Sequence, residues 1–282
     1  MESITFTNSI GESIELGGER PFILTKVEGA GAVRADLQTE KSHGQDGVSY
    51  IGNTLQGRSL SIEIMIIASD ERVMVNERRR LARAFNPKLG KGKIIYRLGD
   101  VERAIEAIPE LAPTFPHGGD FQETMQPALV QLFCHSPFWA DIEETRQEIT
   151  TWQGGLTFPL VLPDFFAVKT GKEVNVYNAG DVPAPVTVEF RGPATNPRII
   201  NHTIGRYIQV NRAMSEGENL IITTHFGNKR VEINGQNVFN WIDLDSTFWQ
   251  LQPGDNLIEY TSDDGIEPAV VRVGYKNLYV GV

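Results

Sequence analysis

The sequence predicts a mainly β protein of two domains, with one helix in the first half. Three observations carry this. The 27 glycines and 15 prolines are scattered between short apolar runs rather than clustered, which is how an all-β chain punctuates its turns. In the second half those runs recur roughly every 10 residues, and the clearest alternate apolar with polar residues as half-buried strands do. Only Asp70–Phe85 carries the period of a helix. At 282 residues the chain exceeds what one core usually organises, so two domains are expected.

In the first half Ile4–Phe6, Ile14–Leu16, Phe22–Val27 and Leu60–Ile67 read as strands. The last is the clearest, with Leu60, Ile62 and Ile64 in alternation and a continuous apolar end. Between them Gly29–Gly57 is Gly-rich, polar and long, and reads as a surface loop or mobile arm. Ser69 is placed to cap the helix. Asp70 and Glu71 suit its positive end, and Arg78, Arg79, Arg80 and Arg83 lie toward its negative end. Val73, Met74, Leu81, Ala84 and Phe85 share one face, and Pro87 ends the helix. Three consecutive arginines fan around most of a helix, with Glu71 and Glu77 near them. They read as a solvated or subunit-contacting face rather than a nucleic-acid patch.

Strands resume at Lys93–Leu98, Val101–Ile108 and Ala128–Cys134, around a Pro- and Gly-rich loop at Pro109–Gly119. Pro137 stops the last strand, and the polar run Asp141–Trp152 follows. The domain boundary is placed there, giving residues 1–138, with the helix at 70–85, and residues 139–282. The second domain reads as a sandwich. Its strands are Val174–Tyr177, Val186–Phe190, Arg198–Asn201, Tyr207–Val210, Leu220–Thr224, Lys229–Ile233, Asn256–Thr261 and Val270–Tyr275. Asn234-Gly235 is the strongest hairpin signal, and Pro253–Asn256 and Asp263-Asp264-Gly265 supply further turns. In Val186–Phe190 the strict alternation puts Val186, Val188 and Phe190 on one buried face.

The formal net charge is −10. A cut after Ser136 leaves −3 and −7 on the two halves, so neither offers the basic surface that sequence-independent nucleic-acid binding needs. No apolar stretch approaches the roughly 20 residues of a membrane span, and Met1–Phe6 lacks the features of a signal peptide. Cys134 is the single cysteine, so no intrachain disulfide forms, which fits a reducing compartment. It reads as a small buried hydrophobe.

Catalytic chemistry finds little support. His43, His117, His135, His202 and His225 lie at no metal-ligand spacing from one another or from Cys134. Neither a nucleophile elbow nor a phosphate-cradling glycine loop is present. Asp243 and Asp245 are a tight acidic pair. On one strand face they would lie about 7 Å apart, within the inverting-glycosidase range. The plainer reading is a turn or cap before a strand at Ser246–Leu251. No catalytic, cofactor-binding or metal-binding residue is expected. Sugar binding would need exposed aromatics, for which Trp152, Trp241 and Trp249 are the candidates. Phe248 and Trp249 would face opposite ways on a strand, with one of them in the core, so Trp241 near a turn is the best exposed candidate.

Several segments, in order, carry a resemblance. They are Gly154–Leu160, Asn178–Val186, Asn196–Ile199, Gly217–Ile222, Val231–Gly235, Ser246–Asn256 and Tyr279–Val282. Together they resemble the C-terminal domain of the distal tail proteins of long-tailed, non-contractile bacteriophages. The first half, ending in Phe133-Cys134-His135-Ser136-Pro137-Phe138-Trp139, is similar to their N-terminal domain. The resemblance implies a ring-forming, β-barrel-like first domain and a galectin-like β-sandwich after it. It implies a hexameric hub joining the tail tube to the tail tip or tail-associated protein and to the receptor-binding protein. The place implied is the distal end of a virion tail, after synthesis in the bacterial cytoplasm, with no membrane and no specific nucleic acid bound. A carbohydrate-binding module and a tail-associated glycan hydrolase are the competing readings. In the ring reading the arm Gly29–Gly57 extends onto a neighbouring copy through Val33, Leu37, Val48, Tyr50 and Ile51.

The lack of a catalytic constellation has a measurable consequence. Incubated with cell walls or polysaccharides, the purified protein is expected to release no reducing ends. Release that disappears in folded Asp243→Asn or Asp245→Asn variants would contradict this reading.

Overall fold

The computed structural model of the protein describes residues 2–116, 124–149, 153–154, 167–168, 173–263 and 270–282. His117, Trp152, Gly155–Leu160 and the turn at Asp264-Gly265 lie outside the described residues. The chain divides into two compact units. One is Met1–Ile142 together with Tyr279–Val282, and the other is Glu143–Leu278. The division falls slightly beyond the boundary read from the sequence, and the last four residues group with the first unit.

The first unit contains β1 (Glu2–Thr7), β2 (Ser13–Leu16), β3 (Phe22–Glu28), β4 (Ala35–Glu40), β5 (Ser49–Leu55), β6 (Arg58–Ile67), α1 (Glu71–Ala84), β7 (Gly92–Leu98), β8 (Val101–Pro109) and β9 (Met125–Cys134). Seven of these strands form one antiparallel sheet in the order β2-β1-β7-β8-β9-β6-β3. Strands β6 and β9 pair over their full length, from Arg58 opposite Cys134 to Ile67 opposite Met125. That register puts Leu60, Ile62, Ile64 and Ile66 on the core side with Ala128, Val130 and Leu132. The ends of the sheet meet only at a parallel bridge, where Gly17 N–H donates to Phe22 O (3.1 Å) and Leu24 N–H donates to Gly17 O (2.7 Å). The sheet is barrel-like in curling its two edges together, but no closed barrel is present among the described residues.

Helix α1 runs within one residue of the expected bounds. Its N-cap is Asp70, not Ser69. The Asp70 carboxylate accepts from Val73 N–H at 2.9 Å, while Ser69 Oγ donates to that carboxylate. A carboxylate is the better cap here because it also meets the positive end of the helix dipole. Met74, Leu81, Ala84 and Phe85 are buried as the periodicity predicts, and Phe85 stacks on Phe6 at 4.4 Å. Gly92 is required beside that pair, since a Cβ there would lie 2.5 Å from the Phe6 ring.

All eight strands read from the second half are present within about two residues. A six-stranded sheet runs Thr145–Ile149, Val270–Tyr275, Val186–Arg191, Asn219–Thr223, Arg230–Ile233, Gln236–Asn237. A four-stranded sheet runs Glu173–Asn178, Gly254–Thr261, Arg198–Asn201, Arg206–Gln209. Their inner faces share one core, in which Phe190 of the first sheet meets Tyr260 of the second at 5.4 Å. Val186, Val188 and Phe190 are buried as read. Asn234 and Gly235 both have positive φ and join Ile233 to its partner Gln236, the type I′ geometry this dipeptide favours. The polar run at 141–152 contains a strand the sequence did not reveal, Thr145–Ile149. It is an edge strand whose Glu148 opposes and pairs with Arg272 (2.6 Å), so its polarity marks a guarded edge rather than a linker.

No helix among the described residues is long and apolar enough to cross a membrane. Two compact units give an expectation for proteolysis. Mild digestion should cut between about Cys134 and Gln153 and leave two resistant fragments. One resistant fragment spanning that stretch would show that the units do not fold separately.

Candidate functional site

The segment Gly29–Gly57, read as a loop or arm, is a β-hairpin. Strands β4 and β5 pair antiparallel from Ala35 opposite Leu55 to Glu40 opposite Ser49, with a bulge at Ile51 between Gly52 and Tyr50. They form a sheet of their own. The register sorts the side chains. Ala35, Leu37, Thr39, Tyr50, Asn53 and Leu55 share one face, and Asp36, Gln38, Glu40, Ser49 and Thr54 share the other. Neither face is covered. Leu37 is 61% exposed, Val48 57%, Tyr50 62% and Ile51 62%, while Val33 at the root is partly buried. A lone two-stranded hairpin is marginal in water, and Leu37 and Tyr50 on the more apolar face, with Ile51 at the bulge, are large apolar groups left open to solvent.

The root of the hairpin is held firmly. Gly29 has φ +89°, and a Cβ there would sit 2.1 Å from Ser59 O, so only glycine fits. Arg58, 2% exposed at the start of β6, donates through Nη1 to Gly29 O at 2.6 Å and to Ala30 O. Its Nε and Nη2 reach Pro137 O at 3.2 and 2.9 Å, and Nη2 also donates to Val280 O. Trp139 adds an indole N–H to Ala30 O at 2.9 Å, and its ring lies 5.8 Å from the guanidinium. The planar fork thus joins the hairpin base, the chain after β9 and the chain's last residues. Burial pulls the Arg58 guanidinium below its ordinary pKa. The same burial pushes the Cys134 thiol up to about 12 despite Arg58 opposite it, so the thiol is inert.

Arg78, Arg80 and Arg83 of α1 are engaged within the unit. Arg83 makes a forked contact with Glu12 (2.5 to 3.1 Å), holding the Glu12 carboxyl below its usual range. Arg78 lies 4.5 Å over the Phe115 ring, and Arg80 lies over Phe22 and pairs with Glu77 at 3.4 Å. The sequence reads these arginines as a solvated or subunit-contacting face, and the three contacts engage part of that face within the unit.

In the second unit Trp241 ends a short 3₁₀ turn, Phe239–Trp241, and is 38% exposed with Arg212 4.6 Å over its ring. Trp249 is the core member of its pair, at 2%. A shallow recess of about 340 Å³ is lined by Arg206, Phe226, Lys229, Phe248, Trp249 and Gln250, and Trp241 stands outside it. Asp243 is a turn-former. Its carboxylate accepts from Tyr207 OH (3.0 Å) and Asp245 N–H (3.1 Å), and these bonds hold its pKa below the ordinary carboxylate range. The strand expected at Ser246–Leu251 does not form. Leu251 makes only a bridge to Ala184, and Asp243 N–H and Thr247 N–H donate to Gln209 O and Tyr207 O. A carboxyl kept ionised by its turn is a poor general acid.

The comparisons with known proteins cover both units. Residues 179–279 match the model of the siphovirus-type tail component, C-terminal domain. Residues 9–127 match that of the phage tail protein RIFT-related domain. The chain belongs to the distal tail protein family of siphovirus-type phages. It is similar in fold to the crystallised Dit protein of phage SPP1, described as a paradigm of hub adsorption apparatus in phages infecting Gram-positive bacteria. The two are 16% identical, with a TM-score of 0.68 over 97% of this chain and 98% of that one. It is also similar to chains of the phage p2 baseplate in its activated conformation. The chain solved with calcium is 8% identical with a TM-score of 0.55, and the one with strontium is 8% identical with 0.53, each over 100% of both chains. No curated protein matched by sequence. The RIFT-related match runs from residue 9 to 127, and the hairpin at 35–55 lies within those bounds.

The Arg58 contacts yield a stability expectation. Arg58→Met removes the donor to the Gly29 and Pro137 carbonyls, while Ala30 O keeps the Trp139 indole N–H, and should cost about 2 kcal/mol or more. Arg58→Lys should recover only part, because an ammonium lacks the fork. Urea unfolding measures both. A Met variant with the parent's midpoint would show that the carbonyls are satisfied by other means.

Proposed function

We propose that the protein is the ring-forming hub at the distal end of a phage tail, with the first unit building the ring and the β4–β5 hairpin making the contact between copies. The observation that carries the reading is the exposed amphipathic hairpin, rooted rigidly by Arg58, within a domain of a tail-protein family. Closing a ring requires a heterologous contact, one surface of a copy on a different surface of the next. A projecting hairpin with exposed apolar groups is such a surface, and its own outer strand edges offer backbone for a neighbour to pair with. The reading extends to a hexamer in the virion, set between the tail tube protein and the tail tip, with the second unit turned to the receptor-binding apparatus. Its role is structural and not catalytic.

A second reading keeps one specific observation. Phe226 is 82% exposed at the recess beside Arg206, Lys229 and Gln250, the pairing of aromatic and polar groups that sugar binding uses. In that reading the second unit is a carbohydrate-binding module, and the ring is unaffected.

A stable contact usually buries more than about 1,000 Å² in total, and the hairpin is long enough to supply a large share of it. Replacing residues 35–55 with a short Gly-Ser linker should leave a folded chain that runs as a monomer by native mass spectrometry at concentrations where the parent is hexameric. A shortened chain that assembles as readily as the parent would move the contact to the main sheet and α1.

A further inference from the structure

Glu173 and Glu259 on two adjacent strands of the four-stranded sheet in the second unit, and His202 in the turn that follows the third strand, come together. Glu173 opens the edge strand and lies directly opposite Glu259 in the antiparallel register. Glu259 in turn opposes Ile200 of the third strand, and His202 sits two residues beyond Ile200, on the same face. His202 N–H donates to Leu257 O at 2.9 Å, and Leu257 N–H donates to Thr203 Oγ1 at 3.0 Å, so the ring is carried on paired backbone. His202 Nε2 lies 2.7 Å from a Glu259 carboxylate oxygen. One ligand atom from each of the three residues falls within 4.8 Å of the others.

Like charges set directly opposite on neighbouring strands are destabilising. Glu173 has no hydrogen bond or ion pair among the described residues that would offset its carboxylate, while Glu259 has only the imidazole. An arrangement that leaves two carboxylates and one ring nitrogen converging from fixed backbone is suited to a cation larger in charge than a proton. We propose that Glu173, His202 and Glu259 form a surface site for a borderline first-row divalent ion of the zinc class. An imidazole ligand argues against magnesium and calcium, which take oxygen donors. Three protein ligands on an open face leave the remaining coordination position to water, as in open zinc sites. The ion would take the place of the direct His202–Glu259 contact and link the edge strand Glu173–Asn178 to the two strands beside it.

The test uses the full, tag-free chain stripped with a chelator. Calorimetric titration with zinc chloride should show one ion per chain, and cobalt chloride should give the visible absorption of a low-symmetry site. Glu173→Gln and His202→Ala should each weaken zinc binding at least about tenfold. Both are surface changes, so circular dichroism should be unchanged. Metal-free Glu173→Gln should melt no lower than the parent, because it removes a like-charge pair. Magnesium chloride should compete poorly. Zinc binding that is absent from the parent, or equally tight in both variants, would overturn the proposal. Neither result bears on the ring, which is read from the mass of the assembly.

Discussion

Arg58 is the interaction on which the first unit's geometry depends. One guanidinium, almost wholly buried, donates to the carbonyls of Gly29, Ala30, Pro137 and Val280. A buried cation is tolerated only when its donors are satisfied, and here backbone oxygens do this with planar, directional bonds. The consequence is geometric. The hairpin root, the chain leaving β9 and the chain's final residues are fixed to β6, the longest-paired strand of the sheet. Gly29 completes the arrangement, since its φ and the 2.1 Å approach of Ser59 O admit no side chain.

A rigid root gives the exposed hairpin its meaning. A floppy loop with the same residues would lose several kcal/mol of conformational entropy on docking, at about 1–2 kcal/mol for each residue ordered. In a hairpin already formed and already aimed, much of that cost is met on folding, and burial of Leu37, Tyr50 and Ile51 can go to affinity. The bulge at Ile51 adds twist, which suits a strand pair that, in the proposed ring, follows a curved neighbour. The second unit spends its polar groups differently. Buried Asn256 bonds across its turn to Gln252 N–H (2.8 Å) and O (2.7 Å), and Asp243 is tied into another turn. These side chains shape loops.

Much of the fold was legible because burial writes period into sequence. Strand β6, helix α1 and Val186–Phe190 each bury one face, and their alternation or helical spacing shows it. The hairpin was read as a loop or arm because β4 carries one large apolar residue, Leu37, and the bulge at Ile51 breaks the alternation in β5. Thr145–Ile149 was missed for a related reason, since a charged edge strand has the composition of a linker. The Ser246–Leu251 segment misled in the other direction. Its apolar Phe248, Trp249 and Leu251 pack on the core without pairing as a strand. The apolar residues of the hairpin were named from sequence as contact residues, whereas Arg58 was not, because a buried arginine looks like any other until its carbonyl partners are seen. The Glu173, His202 and Glu259 cluster was equally hidden, being far apart in the chain and brought together only by strand register.

The central claim is that the hairpin is uncovered in the single chain and covered in the assembly. Hydrogen exchange of the amides in residues 35–55, followed by mass spectrometry at concentrations above and below assembly, tests this most directly. The account predicts that exchange in this segment slows strongly on assembly, while buried β6 amides change little. Hairpin amides that exchange equally fast in the single chain and in the assembled ring would contradict it.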